Sequence, residues 1–184
     1  MTRTKEHRHQ TTFATVATPF GKVIIAAGPK GIFKVGRGHV KVLKGRKKDR
    51  DNTQTKELTK AVKELKEYYL GKRKRFTVKM DLSRGTQFQQ KVWMELCNVP
   101  FGKTVTYAEL ARRIKRPRGA RAVGQAVGSN PIGIIVPCHR VIASGGKVGG
   151  WSGPGGIAGK LAMLRFEGVD GLKVNDKRKG KKKR

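Results

Sequence analysis

The apolar pattern of this chain changes period near residue 85, which restricts it to two halves of different construction. Ahead of that point, β-branched and apolar runs are bounded by glycine and proline. Thr12-Phe13-Ala14-Thr15-Val16 leads to the turn Thr18-Pro19-Phe20-Gly21, and Lys22 to Ala27 leads to the turn Gly28-Pro29-Lys30-Gly31. Ile32-Phe33-Lys34-Val35 follows as a third run. Runs and turns of this kind are what hairpins require. Residues 44–54 carry many charges and no apolar period, and read as a loop. Leu58, Val62, Leu65 and Tyr69 recur at helical spacing and predict one apolar stripe on a helix from Lys56 to Leu70, ended by Gly71. Phe76 to Met80 reads as a further strand. Residues 11–80 are thus expected to form a small α/β unit of antiparallel strands and a helix, with a linker at 81–84.

Beyond it the strand signals give way to short helices, which makes the chain α+β. Gln87 to about Asn98 turns Phe88, Val92, Trp93 and Leu96 inward. Tyr107 to Ile114 offers Leu110, Ala111 and Ile114, with Thr106 as its cap. A third helix runs from Ala120 to about Val127, after a break at Pro117 and Gly119. Two short helices joined by a tight turn suggest a helix-turn-helix, although the same pattern also serves as a plain packing unit. Glycines cluster at 145–146, 149–150, 153 and 155–156, where backbone can approach a ligand closely. A last helix, Lys160 to Phe166, has Leu161, Met163 and Leu164 for packing. Residues 85–170 are read as this second domain. Residues 1–10 and 171–184 are read as a basic disordered arm and tail.

Charge narrows the partners. Lys and Arg number 43 against 12 Asp and Glu, a formal net charge of +31. That excess repels itself in a compact chain unless a polyanion screens it, and DNA and RNA gain from releasing their counterions. An anionic membrane surface is the weaker partner. No stretch reaches the ~20 apolar residues that span a bilayer, and Met1 to Gln10 lacks the apolar core of a secretory signal. Two cysteines, Cys97 and Cys138, fit a reducing compartment with free thiols. Four histidines and two cysteines without metal-ligand spacing argue against zinc. The tail, ending Lys181-Lys182-Lys183-Arg184, suits nucleic-acid contact or nuclear import; in a prokaryote the same chain would work in the cytoplasm at the nucleoid.

The chemistry gathers at Pro137-Cys138-His139-Arg140-Val141. The apolar run Ile132 to Val136 ahead of it reads as a buried strand, so Cys138 is expected to emerge at a strand end. Cationic or basic neighbours favour the thiolate, which is the nucleophile. A lone cysteine is otherwise a small buried hydrophobe, the reading preferred for Cys97.

Residues 85–168 resemble the O6-alkylguanine-DNA alkyltransferase family. The resemblance is carried by Phe88-Gln89 with Val92-Trp93, by Pro100 to Ala111, by Arg121-Ala122-Val123-Gly124 with Ala126-Val127-Gly128 and Asn130-Pro131, and by Ile135-Val136-Pro137-Cys138-His139-Arg140-Val141-Ile142. It implies single-turnover DNA repair. Cys138 takes the alkyl group from O6 of a guanine flipped out of duplex DNA, with O4-alkylthymine as a further candidate substrate. His139 acts as base and Glu167 orients it; Tyr107 serves the leaving guanine; Asn130 braces the turn. Arg121 enters the base stack, and small residues around it, Gly119, Ala120, Ala122 and Gly124, let the helix lie in the minor groove. Gln89 and Ser144 are further DNA contacts. Arg140, Val141, Trp151 and Ser152 line the guanine and alkyl pocket. The resemblance implies no metal, no cofactor, and a monomer acting on double-stranded DNA. Trp151 stands where the family usually has tyrosine, and Pro154-Gly155 is an insertion relative to the human-type protein. The alternative is a DNA-binding or chromatin-associated protein that recognises alkylated bases without repairing them.

Overall fold

The computed structural model describes residues 11–37 and 56–174. The arm at 1–10 and the loop expected at 44–54 lie outside the described residues, as does the expected tail of 171–184 from residue 175 on; Lys173 and Val174 at its start are not disordered but pair as a strand with Lys147 and Val148. The chain divides into two compact units, Met1–Arg84 and Gly85–Arg184.

In the first unit, β1 (Thr12–Thr18), β2 (Gly21–Gly28) and β3 (Gly31–Gly36) form an antiparallel sheet in sequence order. The first turn is set locally: Thr18 Oγ1 donates to the Gly21 carbonyl at 2.6 Å and accepts the Phe20 N–H at 3.2 Å. At the second turn only glycine fits. Gly31 has φ +125°, and a Cβ there would lie 2.5 Å from the Lys79 carbonyl oxygen. Helix α1 (Lys56–Tyr69) packs across all three strands. Val16, Val23, Ile25, Ile32 and Val35 from the sheet meet Leu58, Leu65 and Tyr68 from the helix. Each such buried aliphatic side chain contributes about 1.5–3 kcal/mol.

Two expectations need correction here. The buried stripe of α1 is Leu58, Ala61, Leu65 and Tyr68; Val62 and Tyr69 sit half-buried at its margin. The helix is rolled so that Glu64 points inward, where its carboxylate accepts the Thr77 N–H at 2.8 Å and the Thr77 hydroxyl at 2.5 Å. For the same reason Phe76 to Met80 is not a ladder strand. It makes one parallel bridge, Met80 to Ile32, while Glu64 and Glu57 of α1 take the N–H groups of Thr77 and Lys79. Helix carboxylates satisfy the donors that a neighbouring strand would otherwise satisfy.

The second unit begins with α2 (Gln87–Leu96), opened by a reciprocal capping box between Thr86 and Gln89. A second capping box, Thr106 with Glu109, starts α3 (Tyr107–Arg113) directly after the two-residue β4 (Val105–Thr106). Helix α4 (Ala120–Gly128) packs on both α2 and α3, and Trp93 Nε1 donates to the Ala126 carbonyl at 2.7 Å across that contact. The run Ile132 to Val136 is a tight turn, not a strand. Ile134 has φ +74°, the Val136 N–H closes onto the Ile132 carbonyl at 2.9 Å, and Asn130 spans the turn with its amide. Cys138 therefore opens a single 3₁₀ turn, Cys138–Arg140. It leads into β5 (Val141–Ile142), which pairs in parallel with β4. Helix α5 starts earlier than expected, at Gly156, and runs to Phe166. β6 (Lys147–Val148) pairs in parallel with β7 (Lys173–Val174). Ile142, Val148 and Leu164 form the small core beneath, with Ile157, Leu161, Val169 and Leu172 packed on it. Among the described residues, no helix is long and apolar enough to cross a membrane.

Candidate active site

The β4–β5 pair joins two distant stretches of chain. The first residue of α3, Tyr107, and the 3₁₀ turn at Cys138 meet beside one cavity of about 160 Å³. Gly124, Val127 and Gly128 of α4 form one wall, Gly150, Trp151 and Ser152 another, and Lys160 of α5 reaches in from below. A cavity near 150 Å³ holds about one benzene ring. The pocket thus has room for a ring-sized group against the thiol.

Behind the thiol lies a fully buried network. His139 is 0% exposed, and its Nε2 is 2.9 Å from Glu167 Oε1. Glu167, the C-cap of α5, also accepts from Arg140, at 2.8 Å from one guanidinium nitrogen and 2.9 Å from Nε, and from the Gly102 N–H at 3.1 Å. Arg140 is held in turn by the Val99 carbonyl at 2.6 Å. Burial alone would raise the Glu167 carboxyl, but the hydrogen bonds and charges of His139 and Arg140 outweigh it and hold it at about 2. An ionised carboxylate only accepts, so Nε2 of His139 carries the hydrogen and Nδ1 keeps the lone pair. Nδ1 is buried with no hydrogen-bond partner within the protein. Burial pushes the imidazole's affinity for a proton down, against the pull of Glu167. A neutral ring with a free basic nitrogen is the form a general base needs.

The cavity's other groups are equally constrained. Burial first, then the neighbouring Cys138, raises the Tyr107 hydroxyl above its ordinary value, so it stays a proton donor. Trp151 donates Nε1–H to Cys138 Sγ at 3.4 Å, with its ring edge-on to that of His139. Asn130 Nδ2 donates to the Val136 carbonyl at 2.8 Å and Oδ1 accepts the Ile132 N–H at 3.0 Å, bracing the turn that presents Cys138. Ser152 reaches the Gly128 carbonyl at 3.3 Å, tying the cavity's two walls.

Other expected site residues lie elsewhere. Arg140 is the clamp on Glu167 and lies outside the cavity lining. Val141 also lies outside the lining; its carbonyl accepts Lys160 Nζ at 2.5 Å. Arg121 and Ala122 are exposed and Ala120 half-exposed on α4, while Gly124 lies against the Tyr107 ring. Gln89 serves the cap of α2 and bonds Ser129 at 3.0 Å. Ser144 is exposed in a glycine turn. No group of three or more metal-ligating side chains occurs among the described residues.

Lys160 was missed from the sequence. It is 1% exposed, and burial brings its ammonium down to about 8, against the opposing effect of Cys138. On the helical pattern it reads as a solvated charge at the start of a helix; only the fold turns it inward to the Val141 carbonyl.

Comparison with known proteins gives a consistent picture. Residues 87–169 match the family "6-O-methylguanine DNA methyltransferase, DNA binding domain", and residues 12–82 match "6-O-methylguanine DNA methyltransferase, ribonuclease-like domain". A methylated-DNA–protein-cysteine methyltransferase of Methanosarcina barkeri is 39% identical over 83% of this chain and 94% of its own length. One of Mycobacterium bovis is 51% identical over 58% of this chain, a match spanning 63% of that relative. A crystal structure of the Mycobacterium tuberculosis O6-methylguanine methyltransferase superposes with a TM-score of 0.70 at 37% identity, covering 85% of this chain and 92% of that one. A structure of the same organism's protein in complex with DNA gives 0.69 at 37% identity, over 84% and 91%. With both halves matched in order and the archaeal relative covered almost end to end, this chain belongs to the methylated-DNA–protein-cysteine methyltransferase family.

Proposed function

We propose that this protein repairs DNA by moving an alkyl group, methyl above all, from O6 of guanine to Cys138 in a single, irreversible turnover. The observation that carries the reading is the placement of the Cys138 thiol in the cavity, with the buried His139–Glu167–Arg140 network directly behind it. The thiol proton passes to Nδ1 of His139, bridged by one water, and Glu167 stabilises the imidazolium formed. Sγ attacks the alkyl carbon, a C–S bond forms, and the C–O6 bond breaks. The electron pair leaves on guanine, and Tyr107 gives a proton or hydrogen bond to its ring nitrogen. The carbonyls of Val141 and Cys138 serve the base's exocyclic amine.

A base inside a duplex must be extruded first. Arg121 fills the gap, a reading supported by its exposure near the start of α4, and the small residues beside it let that helix approach the groove closely. The relatives named above are bacterial and archaeal, which supports work at a nucleoid over a nuclear setting.

Transfer of a labelled benzyl group from free benzylguanine tests the reading. Stoichiometric labelling that vanishes in Cys138→Ala is expected. Binding of alkylated duplex without labelling of the wild type would overturn it in favour of recognition without repair. Arg121→Ala should slow repair of duplex DNA far more than reaction with free benzylguanine; equal loss in both would remove Arg121 from the flipping role.

A further inference from the structure

Two features of the active-site loop stand out: the indole at Trp151 and the turn at Pro154-Gly155. The structure joins them. The six-membered ring of Trp151 lies against two glycines. A Cβ on Gly153 would stand 2.3 Å from it, and a Cβ on Gly159 would stand 3.1 Å from it and 1.8 Å from the Pro154 carbonyl oxygen. Pro154 is buried, and Gly155 and Gly156 take φ of +79° and +57° to turn the chain into α5. Pro154-Gly155, with Gly156, therefore forms the bend that brings the start of α5 against the indole. So seated, the ring has one polar atom, and that atom, Nε1, donates to Cys138 Sγ at 3.4 Å.

An indole N–H only donates. It cannot take the thiol's proton, and it bonds a thiolate more strongly than a thiol, because a charged acceptor strengthens the bond. The other groups facing the sulfur act differently. His139, on the same turn, receives the proton. Tyr107 from α3 keeps its own proton for the leaving base, and Lys160 from α5 is engaged at the Val141 carbonyl. Glu167 and Arg140 act only through His139.

We propose that Trp151 is a catalytic residue of this chain, its Nε1–H holding and stabilising the Cys138 thiolate before attack, and that Pro154-Gly155 exists to seat it. Donation ends with the reaction: the alkylated sulfur is a neutral thioether and a far weaker acceptor. The inference deepens the alkyl-transfer reading and rests on it for the identity of the nucleophile's substrate, but its main test uses no guanine.

That test is the pH–rate profile of Cys138 labelling by iodoacetamide, in a Cys97→Ala background. Trp151→Phe removes the donor and should move the half-maximal pH upward by about one unit, a labelling rate about tenfold lower below it. Benzothienylalanine installed at 151 keeps the bicyclic shape without the N–H, and should give the same shift with the fold intact. Gly159→Ala displaces the ring and should move the profile in the same direction. If the benzothienyl variant keeps the wild-type profile, the donor role is overturned, even should Trp151→Phe react slowly. Failure of the wild type to take benzyl from benzylguanine would sink the alkyl-transfer reading and leave these profiles interpretable.

Discussion

Among the described residues, each unit buries one glutamate. Glu64 of α1 is 2% exposed and Glu167 at the end of α5 is 4% exposed. Both pin a helix to a neighbouring segment, both pair with an arginine, and both accept a backbone N–H. The difference lies in the remaining partner. Glu64 bonds the hydroxyl of Thr77, which does not titrate; Glu167 bonds His139, whose other nitrogen faces no protein partner and whose neighbour is Cys138. On the proposed reading, the same structural device becomes chemical because its last contact is the base beside the nucleophile. A buried carboxylate by itself thus says nothing about function.

Neutralising each glutamate in turn separates their roles. Glu167→Gln should slow transfer to Cys138 by at least about 100-fold, because His139 loses the charge that stabilises its protonated form. It should also cost about 3 kcal/mol in denaturant unfolding, since Arg140 is left buried without a counter-charge. Glu64→Gln should cost about 1–2 kcal/mol, the price of a weakened hydrogen-bond set. Its labelling rate per folded molecule should stay at the wild-type value. A comparable fall in labelling for both would show that Glu167 acts only by holding the fold.

Acid sharpens the same contrast. Glu167 is held at about 2 in the fold against 4.5 ordinarily, so the stability it lends, about 3 kcal/mol, is complete above pH 4.5 and is lost as pH falls towards 2. His139 acts from higher pH. The fold keeps it neutral while the unfolded chain takes a proton near 6.5, so stability should already fall as pH drops below about 6.5. Surface carboxylates such as Glu109 add to the acid loss, but equally in every variant. Melting temperature against pH should therefore show a reduced loss between pH 4.5 and 2 in Glu167→Gln. An undiminished loss in Glu167→Gln would mean that its partners do not depress it.

Much of the architecture was legible because it is local. The hairpin turn at 18–21 and the Thr106 cap are decided by residues within four of one another. The largest departures come from side chains that reach across the fold. Glu64 rolled α1 by bonding Thr77, and with Glu57 it replaced a strand ladder at 76–80. Asn130 folded the Ile132–Val136 run into a turn, though composition alone gives a strand. Cys138 beside His139 was visible as a pair. The role of Glu167 came only through the family resemblance, since nothing in spacing links it to His139. Lys160 could not be found at all, because its burial depends on a carbonyl of β5. Trp151 was visible as a departure, but its donor geometry rests on glycines whose purpose shows only once the loop is folded.

The smallest expected effect concerns Gln89, where the two kinds of polar side chain, structural and functional, are hardest to tell apart. The resemblance marked it as a DNA contact, while the structure gives its amide two structural duties. Oε1 accepts the Thr86 N–H at 2.9 Å in the capping box, and Nε2 donates to Ser129 at 3.0 Å at the end of α4. With both ends of the amide engaged, it has little left to offer a phosphate. Gln89→Ala should then cost about 1 kcal/mol of unfolding free energy, the usual worth of a cap. Gln89→Glu, which can still accept from Thr86, should recover most of that loss. A negative charge at a phosphate contact would weaken DNA binding, so the two roles predict opposite behaviour for this one variant. Stability regained with duplex affinity unchanged places Gln89 with Glu64, among the groups that shape the fold; affinity lost while stability returns places it with Glu167, among those that serve the chemistry.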